Sequence, residues 1–178
     1  EVLHYEVRVN ALETSIDKDC EHILKTHRLR DETLRFVLSV LKVNTQCERI
    51  GDHAYMMANI VSQLPNSFDR NLVQALQVQE MFNCLVLMLN DAAQGFNFED
   101  TDSARRVMAH DARLREIGSK AVPLIIAQAQ KDSENIENYF QLMAYVQKME
   151  RMGELTKNIG EETVFYLEKD FLRPRGNL

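Results

Sequence analysis

The sequence predicts an all-α fold with an internal repeat, and three observations carry that expectation. Cys47 to Val61 reads CERIGDHAYMMANIV and Met149 to Thr163 reads MERMGELTKNIGEET. Glu48 aligns with Glu150, Arg49 with Arg151, Gly51 with Gly153 and Asp52 with Glu154, all at one offset of 102 residues. Six Gly and three Pro among 178 residues leave few breaks, which favours long helices over a many-turned β-fold. Finally, Phe36, Val40, Val43, Cys47, Ile50, Ala54, Met57 and Val61 recur at alternating steps of four and three, the spacing of a helical packing seam.

Five helices follow in order, at roughly 2 to 27, 31 to 63, 69 to 95, 101 to 130 and 133 to 169. HRLRD, LPNSFD, GFNFEDTD and KDSEN mark the turns between them, and Asp31, Asp69 and Ser133 stand where helix N-caps are expected. Pro123 should kink the fourth helix, since it removes one backbone donor and crowds the preceding turn. The terminal FLRPRGNL is expected to fray. LPNSFD is the expected boundary between halves, and no low-complexity segment interrupts either one.

Composition excludes several classes. No stretch approaches twenty uninterrupted apolar residues, and EVLHYEVRVN lacks the basic and apolar regions of a signal peptide. Cys20, Cys47 and Cys84 are odd in number and lack CxxC spacing, which fits reduced thiols in a cytoplasmic protein. A net charge of −6 argues against nucleic acid as the main partner. No Gly-rich phosphate loop, GxSxG elbow or HExxH occurs, and no enzyme chemistry is expected. Met56, Met57, Met81 and Met88 read as core filling.

Chemistry concentrates opposite the seam. Leu34, Leu38 and Leu41 make the first half of the second helix apolar on two sides; then the same row continues as Thr45, Glu48 and Asp52. The fifth helix repeats the plan with Ile136, Phe140, Met143, Gln147, Glu150 and Glu154. If the first two helices form an antiparallel hairpin around residue 29, Glu6 and Asn10 stand level with Asp52 and Glu48, because each residue adds the same rise. Around a turn near 132, Asp111 and Arg115 come level with Glu154 and Glu150 in the same way. Two quartets result: Glu6, Asn10, Glu48 and Asp52, and Asp111, Arg115, Glu150 and Glu154. Converging carboxylates repel unless a cation joins them, and oxygen ligands suit hard metal ions. The alternative is a solvated acidic face compensated by Arg49, Arg151 or Lys157. Arg115 places a permanent charge inside the second quartet, so the first is the better metal candidate. His53 stands beside Asp52, about 100° around the helix, either as a further ligand or as a surface histidine.

ERIGDHAYMMANIV, with LRFVLSVLKVNTQC before it, resembles the PhoU family, and the likeness runs from YEVRVNALETSI through MERMGELTKNIGEE. The resemblance implies a tandem repeat of two three-helix bundles. It divides the chain into a first repeat at 1–65 short of its first helix, a second repeat at 66–170, and a tail at 171–178. Aligning Val2 with Val107 leaves no counterpart of the third helix in the first repeat, which would expose an apolar groove. The family's acidic metal motifs map onto Glu48 and Asp52, onto Glu150 and Glu154, and more loosely onto Glu6 with Asn10 and Asp111 with Arg115. The implied ion is iron, zinc, magnesium or manganese. The implied role is negative regulation of phosphate uptake and phosphate-starvation signalling, by contact with a phosphate ABC transporter ATPase and a sensor histidine kinase. Such a protein is cytoplasmic, meets the membrane only through its partners, and forms a homodimer. Within the family, the cytoplasmic domain of a sodium-phosphate symporter is the alternative. Outside it stands a ferritin-like di-iron enzyme, for which only Glu1 to His4 supplies an ExxH pattern.

Overall fold

Helices dominate the computed structural model, which describes residues 2–64 and 67–168, apart from the side chain of Leu3. The expectations for Glu1, for the middle of LPNSFD and for the terminal tail therefore lie outside the described residues. The order is α1 (Val2–Thr26), α2 (Asp31–Gln63), α3 (Arg70–Ala75), α4 (Val78–Phe98), α5 (Thr101–Lys131), a 3-10 turn (Ser133–Asn135) and α6 (Ile136–Glu168). No strand occurs among the described residues. None of these helices is long and apolar enough to cross a membrane.

One expected helix, 69 to 95, is two. Gln77 takes a left-handed conformation, φ 54°, between α3 and α4 and breaks the hydrogen-bond ladder there. Buried Leu76, 2% exposed, pins the bend to the core. Asp69 is the N-cap of α3, its carboxylate accepting from the amides of Asn71 and Leu72. Two other expected caps move by one residue: Arg30 precedes α2 without a side-chain cap bond, and Asp132 precedes the turn that Ser133 opens. Asp100 caps α5 through the amides of Asp102 and Ser103, and α5 runs through Pro123 as one helix.

α1 and α2 pair as the predicted hairpin. Asn44 on α2, 7% exposed, donates to the Glu13 carbonyl and to Asp17 Oδ1, both at 2.9 Å. A β-carbon on Gly51 would meet Val9 at 3.3 Å. α5 and α6 form the second hairpin, with α4 packed across it; Gly160 lets α6 approach the Ala104 carbonyl of α5 so closely that a β-carbon would stand 2.8 Å away.

The two hairpins meet through α2 and α6. Phe36 packs on Tyr166, Lys42 bonds Glu162, and Asn158 donates to Gln46, so the partners step in opposite directions and the helices run antiparallel. That register has its midpoint at Gly51 and Gly153, the repeated glycines, which makes the two repeats related by an approximate two-fold axis there. The hairpin tips therefore point to opposite ends of the molecule.

The repeats differ in what covers them. Leu114, Ile117, Ala121, Leu142 and Met149 are all 2% exposed or less beneath α4. Their counterparts in the first repeat, Val9, Leu12, Ile16, Val40 and Cys47, line an open apolar groove of about 250 Å³. This corrects the expected α2 seam. Val43, Ile50 and Met57, turned toward α6, are core, whereas Phe36 and Val61 are 40% and 51% exposed and Cys47 is exposed. Leu34 and Leu38 are also exposed, because α1 and α6 both pack on other sides of α2. Met57, Met81 and Met88 do fill the core, while Met56 faces solvent. All three cysteines are free thiols.

Candidate functional site

The first quartet is built on the α1–α2 hairpin, where the Asn44 and Gly51 contacts set the heights of its four residues. Asn10 donates to Glu6 Oε1 at 2.8 Å, one turn away on α1, while its own Oδ1 is buried without a partner. On α2 the Glu48 carboxyl is pushed above its ordinary range. Burial is the largest cause, followed by the charges of Asp52 and Glu13 and a hydrogen bond with Asp52; Arg49 offsets part of this. Glu13 is a member that the sequence reading missed. It lies seven residues after Glu6, so the i, i+4, i+7 series Glu6, Asn10, Glu13 was the available signal.

In the second quartet each outer acid has its own arginine. Asp111, 2% exposed, has Oδ2 within 2.5 Å of Arg115 Nη2, although the approach is poorly aligned for a hydrogen bond. Glu154 is paired with Arg151 one turn away. Glu150 lies against the backbone of Gly118 on α5, where a β-carbon would collide with its carboxylate, and burial pushes its carboxyl upward. Gly118 thus creates the recess that holds Glu150. Arg115 itself is 61% exposed and turned to Asp111, so it compensates that acid alone.

His53 is half-buried next to Lys148 and Arg151 of α6; burial and these two cations hold its imidazole below the ordinary range, against the opposing charge of Asp52. Its Nδ1 is buried without a partner.

The donor chemistry of the two quartets therefore differs. The first gathers mutually repelling carboxylates and one orphaned amide oxygen, groups that a hard cation satisfies. In the second, guanidinium groups offset Asp111 and Glu154, while Glu150 is held in the Gly118 recess. As the side chains stand, no three His, Cys, Asp or Glu residues among those described converge closely enough to hold a metal ion.

Two homologous helical hairpins crossing at a repeated acid–Arg–Gly phrase define a tandem-repeat helical bundle with paired carboxylate faces. A family model described as the PhoU domain matches residues 1–61 and 78–163, and the chain belongs to the PhoU family. A "Phosphate-specific transport system accessory protein PhoU homolog" of a Burkholderia species is 24% identical over 94% of this chain and 72% of its own length. A Thermotoga maritima protein, "Phosphate-specific transport system accessory protein PhoU homolog 1", is 26% identical over 97% of this chain and 75% of its own length. Among solved structures, PhoU from Pseudomonas aeruginosa superposes with a TM-score of 0.88 at 23% identity, covering 95% of this chain and 80% of that one. The phosphate transport system regulatory protein PhoU from Streptococcus pneumoniae gives 0.83 at 23% identity, covering 97% and 80%. These likenesses bear out the all-α PhoU-like fold.

Proposed function

We propose that this chain is an accessory regulator of a phosphate transport system, acting in the cytoplasm by contact and not by turnover. Membership of the PhoU family carries the reading, supported by relatives whose names describe accessory proteins of phosphate-specific transport. The partners are the transporter ATPase and a phosphate-sensing histidine kinase, through which a PhoU homodimer reaches the membrane. The two repeats present acidic pairs on equivalent faces, and such surfaces dock against basic patches with strong salt dependence.

Metal occupancy tunes that face in this reading. Glu6, the Asn10 amide oxygen, Glu48 and Asp52 are the ligands of a divalent or ferric ion, with Glu13 adding charge beside them. Asp111, Glu150 and Glu154 are a weaker site because Arg115 and Arg151 already offset Asp111 and Glu154. A bound cation reverses the local field and so changes which partner surface is attracted.

The test is binding of the chain to the purified transporter ATPase and to the kinase, at several salt concentrations, with deletion of the gene in parallel. Association that weakens with salt, together with derepressed phosphate-starvation genes, is expected. Repression unchanged by deletion, with no association to either protein, overturns the proposal.

A further inference from the structure

The outer face of α4 differs from that of every other long helix. α4 has 21 residues, spans about 30 Å and contains two charged residues, Glu80 and Asp91. Both are held by arginines of α5: Glu80 accepts from Arg113, and Asp91 accepts from Arg106. Every fully exposed position of α4 is apolar or a neutral amide. Phe82, Val86 and Leu87 are 47%, 40% and 50% exposed. By contrast, Asp17 and Lys18 stand exposed on α1, Arg49 on α2, Arg115 on α5 and Glu154 on α6.

That face carries two kinds of row. Met81, Leu85, Met88 and Ala92, buried against α5 and α6, recur at steps of four, three and four. Phe82, Val86, Leu89 and Ala93 repeat those steps one residue later, about 100° around the helix. The fold uses the first seam and only the edge of the second: Leu89 is half-buried against the core, while Phe82, Val86 and Ala93 stay exposed. Beside this second seam lies a row of amides, Gln79, Asn83, Asn90, Gln94 and Asn97, all exposed. Gln79 donates to Asn83 at 3.1 Å. Large apolar side chains without charge between them are the composition of an interface core.

We infer that the outer face of α4 docks a second copy of this chain; it supplies the contact surface of the homodimer proposed above and rests on that reading for the homodimer alone. Charge selects the partner. A chain of net charge −6 repels its own copy, most strongly where acidic rows would meet. In a two-fold contact each residue is offered to the same surface it comes from, so a charge near the axis faces itself. α4 is free of that repulsion along its outer face, and it has no charge there with which to attract a basic or an acidic partner. Its polar groups fit the same partner. An amide carries both donors and an acceptor and can pair with its own copy, which a carboxylate or an ammonium group cannot. The steps of four and three let two α4 helices interlock, with small Ala93 admitting close approach.

Sedimentation equilibrium of the 178-residue chain over a range of concentrations reads the association directly. A monomer–dimer equilibrium is expected. Val86→Glu and Asn90→Asp, both at exposed positions, should each raise its dissociation constant at least tenfold with helicity unchanged by circular dichroism. Leu38→Glu adds the same charge at an equally exposed site on α2 and should leave the constant unchanged. Added salt should not weaken the dimer, unlike the transporter contact, because no attraction between charges holds it. Dimers unaffected by both α4 variants overturn the assignment of this face and leave the homodimer standing. A chain that stays monomeric at every concentration overturns it too, with the transporter contact left to its own test. Equal weakening by Leu38→Glu counts against α4 in the same way. So does binding of the monomer to phosphatidylcholine vesicles that Val86→Glu abolishes, since the face would then meet lipid.

Discussion

Gly153 of α6 lies so close to Leu114 of α5 that a β-carbon there would overlap the leucine Cδ2. The equivalent pair in the first repeat, Gly51 and Val9, leaves 3.3 Å. A side chain at the second glycine thus requires the end of Leu114 to move within the core, whereas at the first it requires only a few tenths of an ångström from Val9, which lines the open groove. Leu114 is fully buried, so moving its side chain disturbs packed core. Gly153→Ala should therefore destabilise by about 1–3 kcal/mol through overpacking. Gly51→Ala should be neutral or stabilising by up to about 1 kcal/mol, because alanine is the better helix former. Urea unfolding of the two variants measures both, and equal losses would contradict the asymmetry.

Glu48 makes folding sensitive to pH in a defined direction. Its carboxyl is raised in the folded chain by burial and by Asp52 and Glu13, so the folded state holds a proton that the unfolded state has released. Stability from this group is present below the ordinary glutamate range and is lost as pH rises through the raised folded value. Glu48→Gln should flatten that decline, which urea midpoints at pH 4, 5.5 and 7 would show. A wild-type curve rising across the same window at this position would refute the assignment.

Metal binding should separate the quartets. The double variant Glu48→Ala, Asp52→Ala is expected to lose most of any bound metal while keeping its helices, since neither side chain belongs to the buried core. Glu150→Ala with Glu154→Ala should lose little. Elemental analysis of protein purified without an affinity tag, with circular dichroism alongside, decides the point.

Asp100 provides an acid-sensitive helix start. The Ser103 hydroxyl and amide, with the Asp102 amide, hold its carboxyl below the ordinary aspartate range. Its stabilising effect is present above that range and is lost as pH falls through the depressed folded value. Asp100→Asn keeps an N-cap but should remove this acid dependence, whereas Asp100→Ala should lower the urea midpoint at neutral pH. Identical acid unfolding of wild type and the asparagine variant would exclude the role.

The sequence by itself determined the helical class, the repeat and the hairpin register. Those properties are local or arithmetical: few helix breakers, a fixed offset between two phrases, and equal rise per residue on both arms of a hairpin. It also located the acidic rows, because i, i+4 spacing places side chains on one face whatever the surroundings. Tertiary structure alone decided which apolar faces are core. Leu12 and Ile117 occupy equivalent positions, yet the first is 58% exposed and the second 2%, because α4 lies over only one of them. Burial depends on what packs opposite, and no periodicity within a helix records that. The same holds for Glu13, which joins Glu48 from another helix, whereas the pairs Arg115–Asp111 and Arg151–Glu154 are local to α5 and α6 and follow from i,i+4 and i,i+3 spacing.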